Sequence, residues 1–471
     1  MTRVHAFSDD ALAAHDAVGL VAELRAGRIS IEELVDAAIA RAGRVDPALN
    51  AIAYAAFDRA RGLARAPRGG FFAGIPTFLK DNVDLAGIPT AHGSDAFVAR
   101  PARRDGDFAR MYVATGLLPL GKTQLSEFGF SAAAEHPRIG PVRGPWDTEH
   151  TAGASSSGSA ALVAAGAVPL AHGNDGGGSI RIPASVNGLV GLKPTRDRLA
   201  QDKMMREMPL RIVSDGVLTR SVRDTAAFYR EAEKVFRNVK LAPVGDITRP
   251  GRKRLTIAVL TSSVGRESSP EVRDLTLKTA TFLEGLGHRV EEVTTPPIPT
   301  TFRDDFVLYW SMLAMVLVAT GRRTYGSTWD PSRLDNLTLG LARHCRRNLH
   351  RLPRAIARLS RTKGYTARFH ETYDVTLTPT LATPTPRVGH LDPMASYEGI
   401  MDRLEEWVAF TPLQNATGDP SISLPLARTA HGLPQGMMFS GPAGAEAALL
   451  ELAFELEEAH PFERIQDAEW A

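Results

Sequence analysis

The chain has 471 residues, 55 Lys+Arg against 53 Asp+Glu, a formal net charge of +2, and is 44% apolar and 23% charged. These values exclude a disordered, collagen-like or coiled-coil protein, and the near-neutral balance argues against a dedicated nucleic-acid binder. Cys345 is the only cysteine, so no internal disulfide forms and a reducing compartment is expected; only nine of the basic residues are Lys, so a Lys in apolar company stands out.

The start, MTRVHAFSDD, has no apolar secretory h-region, and a cytoplasmic location is expected. Residues 17–65 read as helical: AVGLVAELRAG is a short helix stopped by Gly27, and Ser30 with Glu33 forms a capping box for a run through Ala42 that Asp46-Pro47 ends. From about Gly70 to Arg220, small residues become dense and strand-like runs alternate with helix-like ones, which predicts α/β layering. Within it, LVAAGAVPLAHG is a helix end followed by a strand. GLVGLKPT is a buried strand, and Ser221–Phe236 is a helix capped by Ser221. Residues 237–256 read as a connector. Strands follow at Arg254–Leu260, HRVEEV, DVTLTP and SISLPL, with helices at SPEVRDLTLKTATFLEGLG and AEAALLELAFELEEAH.

The longest apolar stretch, Phe306–Gly321, covers about 16 residues, short of the ~20 that a membrane span needs, and is expected as a buried helix or a channel wall. Residues 342–363 carry seven Arg and one Lys without an acid; they read as a solvated face, with an anion-attracting rim or a membrane-surface contact as the other readings. Gly116–Thr123 fits the P-loop pattern, but its filler is three Leu and a Pro, and proline has no N–H to offer a phosphate. The histidines form no HExxH array and neighbours of Cys345 lack zinc spacing, so neither a metal nor another cofactor is expected.

Three segments carry chemistry. Pro76–Asn82 (PTFLKDN) puts Lys80 at the end of an apolar strand. Gly153–Ala161 (GASSSGSAA) clusters hydroxyls. His172–Pro183 (HGNDGGGSIRIP) sets Gly176, Gly177 and Gly178 before Ser179, and three glycines let backbone N–H groups converge beside that serine as an oxyanion hole. A serine nucleophile needs a base. No histidine is obviously paired with Ser179, and burial disfavours an ammonium, so Lys80 is the alternative, with serines 155 to 157 relaying the proton.

These segments resemble the amidase signature family, with its Ser-Ser-Lys triad, and look closest to its mycobacterial type. The spacing agrees, with 75 residues from Lys80 to Ser155 and 24 on to Ser179. LGKTQLSEFGFS, YDVTLTPT, NATGDPSISLPL and GLPQGMMF extend the likeness over essentially the whole chain. The resemblance implies Ser179 as nucleophile, Ser155 as bridging serine behind a cis Ala154–Ser155 bond, and Lys80 as general base. It implies Ser156 as an orienter of Lys80, the amides of Gly176, Gly177, Gly178 and Ser179 as the oxyanion hole, and Gly129 as a main-chain contact to substrate. Asp175 and Arg181 are expected to brace the loop as an ion pair. Ala154 and Ser157 stand where the family usually has glycine.

The implied fold is a single large α/β/α domain, with a mixed, mostly parallel central sheet covered by helices. It divides into a helical region (1–66), a catalytic core (67–245) and a part completing the sheet and substrate channel (246–471). The implied activity is that of an acylamide amidohydrolase needing no cofactor. Tyr309 and Trp310 suggest an apolar acyl or aryl group. Expected partners are a small-molecule amide and a second copy in a homodimer, with no nucleic acid and no integral membrane segment. The alternatives are the A-type subunit of a glutamine-dependent amidotransferase and a non-catalytic binding protein on the same fold.

Overall fold

A computed structural model describes residues 2–294, 296 and 298–468. Helix α1 (Ala17–Arg25) is capped by Asp16, and α2 (Ile31–Leu49) opens with the Ser30/Glu33 capping box. Asp46-Pro47 does not end α2, which runs to Leu49 and closes on Asn50 in a left-handed conformation. A proline in the last turn removes a single hydrogen bond, and the Asp46 carboxylate gathers the N–H groups of Ala51 (2.7 Å) and Ile52 (2.9 Å) to form the exit. Nor is 17–65 wholly helical. Strand β1 (Ile52–Ala55) intervenes before α3 (Phe57–Ala64), and pairs antiparallel with β3 (Leu118–Thr123), which pairs in parallel with β2 (Pro76–Lys80). Helix α4 (Asp107–Ala114) lies between β2 and β3 in sequence.

The main sheet is built from β4 (Leu170–Asp175), β5 (Val190–Lys193), β6 (Ser214–Thr219), β7 (Thr256–Val259), β8 (Arg289–Glu292), β9 (Val375–Pro379), β10 (Ser421–Arg428) and β11 (Pro434–Ser440). Its order is β8-β7-β9-β11-β10-β5-β6-β4. The sheet is mixed, as expected, but not mostly parallel: β8·β7 and β7·β9 pair in parallel, and every other neighbouring pair is antiparallel. The reason lies in how the chain returns. Helix α6 (Arg181–Asn187) does connect two strands of the same direction, β4 and β5, but the later β6 slots between them and runs against both. The β10–β11 hairpin adds further antiparallel pairing through a short turn.

Helix α5 (Ser157–Ala164) is buried along its whole length, and α6 packs on β5, β10 and β11. Helix α7 (Val222–Val235), capped by Ser221, packs with α1 and with the C-terminal helix; α8 (Pro270–Gly285) crosses from β7 to β8. One apolar core holds residues from Ala6 to Leu456 and draws on all three sequence regions.

Helix α9 (Phe302–Tyr325) outruns the predicted apolar stretch and, by length and composition alone, suffices to cross a membrane. Packing accounts for its apolarity. Phe302, Phe306, Tyr309 and Met312 join a cluster with Ile212, Cys345 and Leu359, while Ala314 joins another with Leu341 and Trp407. Apart from Ile212, which precedes β6, those partners come from α10 (Asn336–Arg347), α11 (Leu352–Phe369) and α12 (Tyr397–Trp407). The Arg-rich segment forms the exposed faces of α10 and α11, except that Arg358 turns inward to Asp305 (2.6 Å). Helices α13 (Pro412–Thr417) and α14 (Glu446–Ala459) complete the fold.

Candidate active site

Strand β2 is apolar and fully buried, and it delivers Lys80 to the interior with no exposed surface. Besides the contacts of the Lys80 amine, two bonds tie β2 to β4: Thr77 Oγ1 donates to Leu170 O (3.0 Å), and Lys80 N–H donates to His172 Nδ1 (3.2 Å). Because Nδ1 accepts, the His172 proton resides on Nε2, which faces Asp215 Oδ1 at 3.1 Å. His172 is therefore a structural tie for the lysine's backbone and has no free nitrogen to act as a base.

Lys80 Nζ lies 2.7 Å from Ser155 Oγ and 2.6 Å from Asn174 Oδ1. Burial pulls its pKa from 10.5 down to about 7, against the opposing pull of Asp215 and Asp175. The Ala154–Ser155 peptide is cis, and Ala154 is buried without exposed surface, so its extra Cβ is accommodated. Ser156 does not reach Lys80. Its hydroxyl donates to Ser179 O (2.5 Å) and Asn174 O (3.3 Å), so it ties the Ser179 loop to the end of β4, and Asn174 holds the amine instead.

The Asp175 carboxylate organises the glycine loop. Arg181 meets it with two nitrogens at 2.8 and 2.9 Å, both residues fully buried, and its pKa is held well below the usual carboxylate range despite that burial. The same carboxylate accepts from Gly178 N (2.8 Å), Ile180 N (3.1 Å) and Asn415 Nδ2 (2.8 Å). Gly178 is thus a correction to the expected oxyanion hole, since its N–H is spent on Asp175. The loop amides without an acceptor among the described residues are those of Gly176, Gly177 and Ser179. Gly178 is needed for another reason: its φ is +133°, and a Cβ there would stand 2.3 Å from Thr411 Oγ1. Thr411 also donates to Gly177 O (2.6 Å), and Arg181 reaches Gln414 Oε1 (3.0 Å) and Asn415 Oδ1 (2.7 Å). Residues of α13 and its entry therefore brace a loop more than 200 positions earlier. Asn415 opens the segment NATGDPSISLPL, in which nothing local signals a bracing role.

Ser155 and Ser179 open on one cavity of about 820 Å3, as do Asn174, Gly176 and Gly177. Their hydroxyls share its wall without bonding each other. Gly129 lies on the same wall, with φ +77° and its open side toward Ser155, where a Cβ would stand 3.3 Å from Oγ. Phe128, Ile182, Ile212, Phe306, Trp310 and Leu313 supply much of the apolar lining. Tyr309 does not line it: its hydroxyl bonds Leu210 in the core.

Among the described residues, Glu127, His136 and Asp335 bring potential ligand atoms near one another. His136 Nδ1 accepts the N–H groups of Arg138 (3.2 Å) and Ile139 (3.0 Å), which leaves the proton on Nε2, and a protonated nitrogen does not ligate a metal.

The sequence profile of the Amidase family matches residues 33–450. The chain is 64% identical over 466 residues to AmiC of Mycobacterium leprae (strain TN), a protein named as an amidase, covering 99% of each. Its fold superposes on a 6-aminohexanoate cyclic dimer hydrolase complexed with substrate with TM-score 0.86 at 29% identity, covering 96% of this chain and 98% of the other. A bacterial aryl acylamidase of the amidase signature family matches with TM-score 0.84 at 27% identity, covering 95% and 96%.

Proposed function

This chain belongs to the amidase family of amide-hydrolysing enzymes, and we propose that it cleaves an amide with an apolar acyl or aryl group through an acyl-enzyme on Ser179. Ser155 relays protons and Lys80 is the general base. One observation carries the reading: a fully buried amine, its pKa drawn down to about 7, lies 2.7 Å from a serine on the wall of the cavity that also holds Ser179.

Neutral Lys80 takes the Ser155 proton as Ser155 takes that of Ser179, and Ser179 Oγ bonds to the amide carbon. The carbonyl oxygen becomes an oxyanion facing the amides of Gly176, Gly177 and Ser179. The relay then returns the proton to the leaving nitrogen as the C–N bond breaks, and water attacks the ester by the same path to release the acid. The contact between the two serines is expected to close when substrate is bound, as catalytic hydrogen bonds commonly do.

The lining supports the substrate class. Phe128, Phe306, Trp310 and Leu313 offer apolar surface around the serines, whereas charged residues on the cavity such as Lys203 and Glu207 are exposed. A glutamine substrate, with its α-ammonium and α-carboxylate, finds less to bind there.

The test is a panel of aliphatic, aryl and peptide amides, with Ser179→Ala as the blank and intact-protein mass spectrometry on a slow substrate. The expected result is turnover of apolar amides and an acyl adduct that Ser179→Ala abolishes. Turnover surviving in Ser179→Ala would remove the nucleophile.

A further inference from the structure

We propose that Asn174 is the positioning residue that aims the Lys80 lone pair at the Ser155 hydroxyl. The inference rests on the reading of Lys80 as base and adds the group that makes it work as one.

A neutral amine has two N–H bonds and one lone pair. Lys80 Nζ has three neighbours: Asn174 Oδ1 at 2.6 Å, Asn174 O at 3.5 Å and Ser155 Oγ at 2.7 Å. Both oxygens of Asn174 are carbonyl oxygens, which only accept, so the two N–H bonds are drawn to that residue. Ser155 is the one neighbour able to donate, and the lone pair is left facing it. When Lys80 takes the proton, the third N–H of the ammonium points back at Ser155 Oγ, and the other two bonds stay as they are. The proton transfer therefore proceeds without rebuilding the site.

Asn174 is itself held. It sits in register with Asp215 in the β4·β6 ladder, and its carbonyl accepts from Ser156 Oγ. Among the described residues its Nδ2 has no hydrogen-bond partner, and the side chain opens on the cavity, so its amide oxygen is dedicated to the lysine.

A neutral acceptor also matters. The charged groups around Lys80 are already engaged elsewhere: Asp175 with Arg181, Asp215 with His172 and Gln201, and Asp81 with Lys122. His172 spends its two ring nitrogens on Lys80 N–H and Asp215. A carboxylate at the Asn174 position would be a direct counter-ion and would keep the amine protonated.

The experiment compares pH profiles of kcat for the full chain, Asn174→Asp, Asn174→Ala and Lys80→Ala, on one apolar amide that the unmodified enzyme turns over. Asn174→Asp, nearly identical in volume, should move the alkaline-rising limb up by about one pH unit or more, as a new adjacent negative charge does. Asn174→Ala should lower kcat by roughly 30-fold or more with KM little changed, as loss of an orienting contact in the reacting geometry does. A purely structural role for Asn174 would lower the amount of active protein and leave the limb in place. An unshifted limb in Asn174→Asp, with Lys80→Ala inactive, overturns the positioning role alone. A Lys80→Ala enzyme that keeps its activity and its limb overturns the base and, with it, the inference.

Discussion

At Lys80 the surroundings change the acid–base behaviour of a single residue. Its ordinary pKa is 10.5; burial brings it to about 7. Only the neutral amine accepts a proton, so kcat should rise through about pH 7 and level off above it, where the amine is free. A rate independent of pH from acid to alkaline conditions, with chemistry limiting, would contradict the assignment. The sign for stability follows from the same shift. Between about pH 7 and 10.5 the unfolded chain binds more protons at this residue than the native one, so its contribution to stability grows as pH rises through that window. Lys80→Ala and Ser155→Ala should each lower kcat by roughly 10³-fold or more, and the double variant little further, since relay members act as a unit. Steady-state kinetics of the three variants would show additive losses if the relay were wrong. The scarcity of lysine and the apolar run before Lys80 made this residue conspicuous in the sequence. Asn174 was not conspicuous, because nothing local to HGNDGGGS says that its amide oxygen meets an amine from another strand.

The glycine loop and α13 behave as one element split across the chain. The Asp175 carboxylate gathers the loop's own amides, Arg181 and Asn415, while Thr411 pins Gly177. Gly178→Ala puts a Cβ 2.3 Å from Thr411 Oγ1 at φ +133°, so both the loop and its brace must shift. We expect it to lower stability by about 1–3 kcal/mol, the usual range for overpacking or backbone strain at one site. The rate of Ser179 acylation should fall by at least tenfold, since the proposed oxyanion hole and nucleophile ride on this loop; urea unfolding and burst kinetics on the purified variant measure the two effects. At this scale the helices were readable wherever a cap announced them, as at Ser30 and Ser221. Pro47 misled because a helix-breaking residue in the final turn breaks almost nothing. The helical reading of 52–55 failed because a short strand shows its pattern over too few residues to stand out between two helices.

Across the whole molecule, one core joins residues from Ala6 to Leu456, and buried charge helps lock the C-terminal helix to it. Arg198 pairs with Glu446 at the start of α14 (Nη2–Oε2 2.8 Å), and Glu446 also accepts from Thr195 N (2.7 Å); both members of the pair are buried. Removing the arginine leaves a buried carboxylate without its counter-ion, so Arg198→Ala should cost about 3–5 kcal/mol in chemical denaturation. Arg198→Met should restore little, because the orphaned charge remains. The amino-acid sequence by itself determined the α/β class, singled out Lys80, Ser155 and Ser179 as candidate site residues, and showed the glycine loop before Ser179. Those are local matters: apolar periodicity sets elements, and chemistry of this kind requires serine, lysine and glycine within short segments. The tertiary structure alone decided that β6 runs antiparallel between β4 and β5, that Gly178 serves Asp175 while its neighbours face the cavity, and that Asn174 and Asn415 complete the site. Strand direction and hydrogen-bond partners depend on which distant segments arrive side by side, and that is settled by packing the whole core at once.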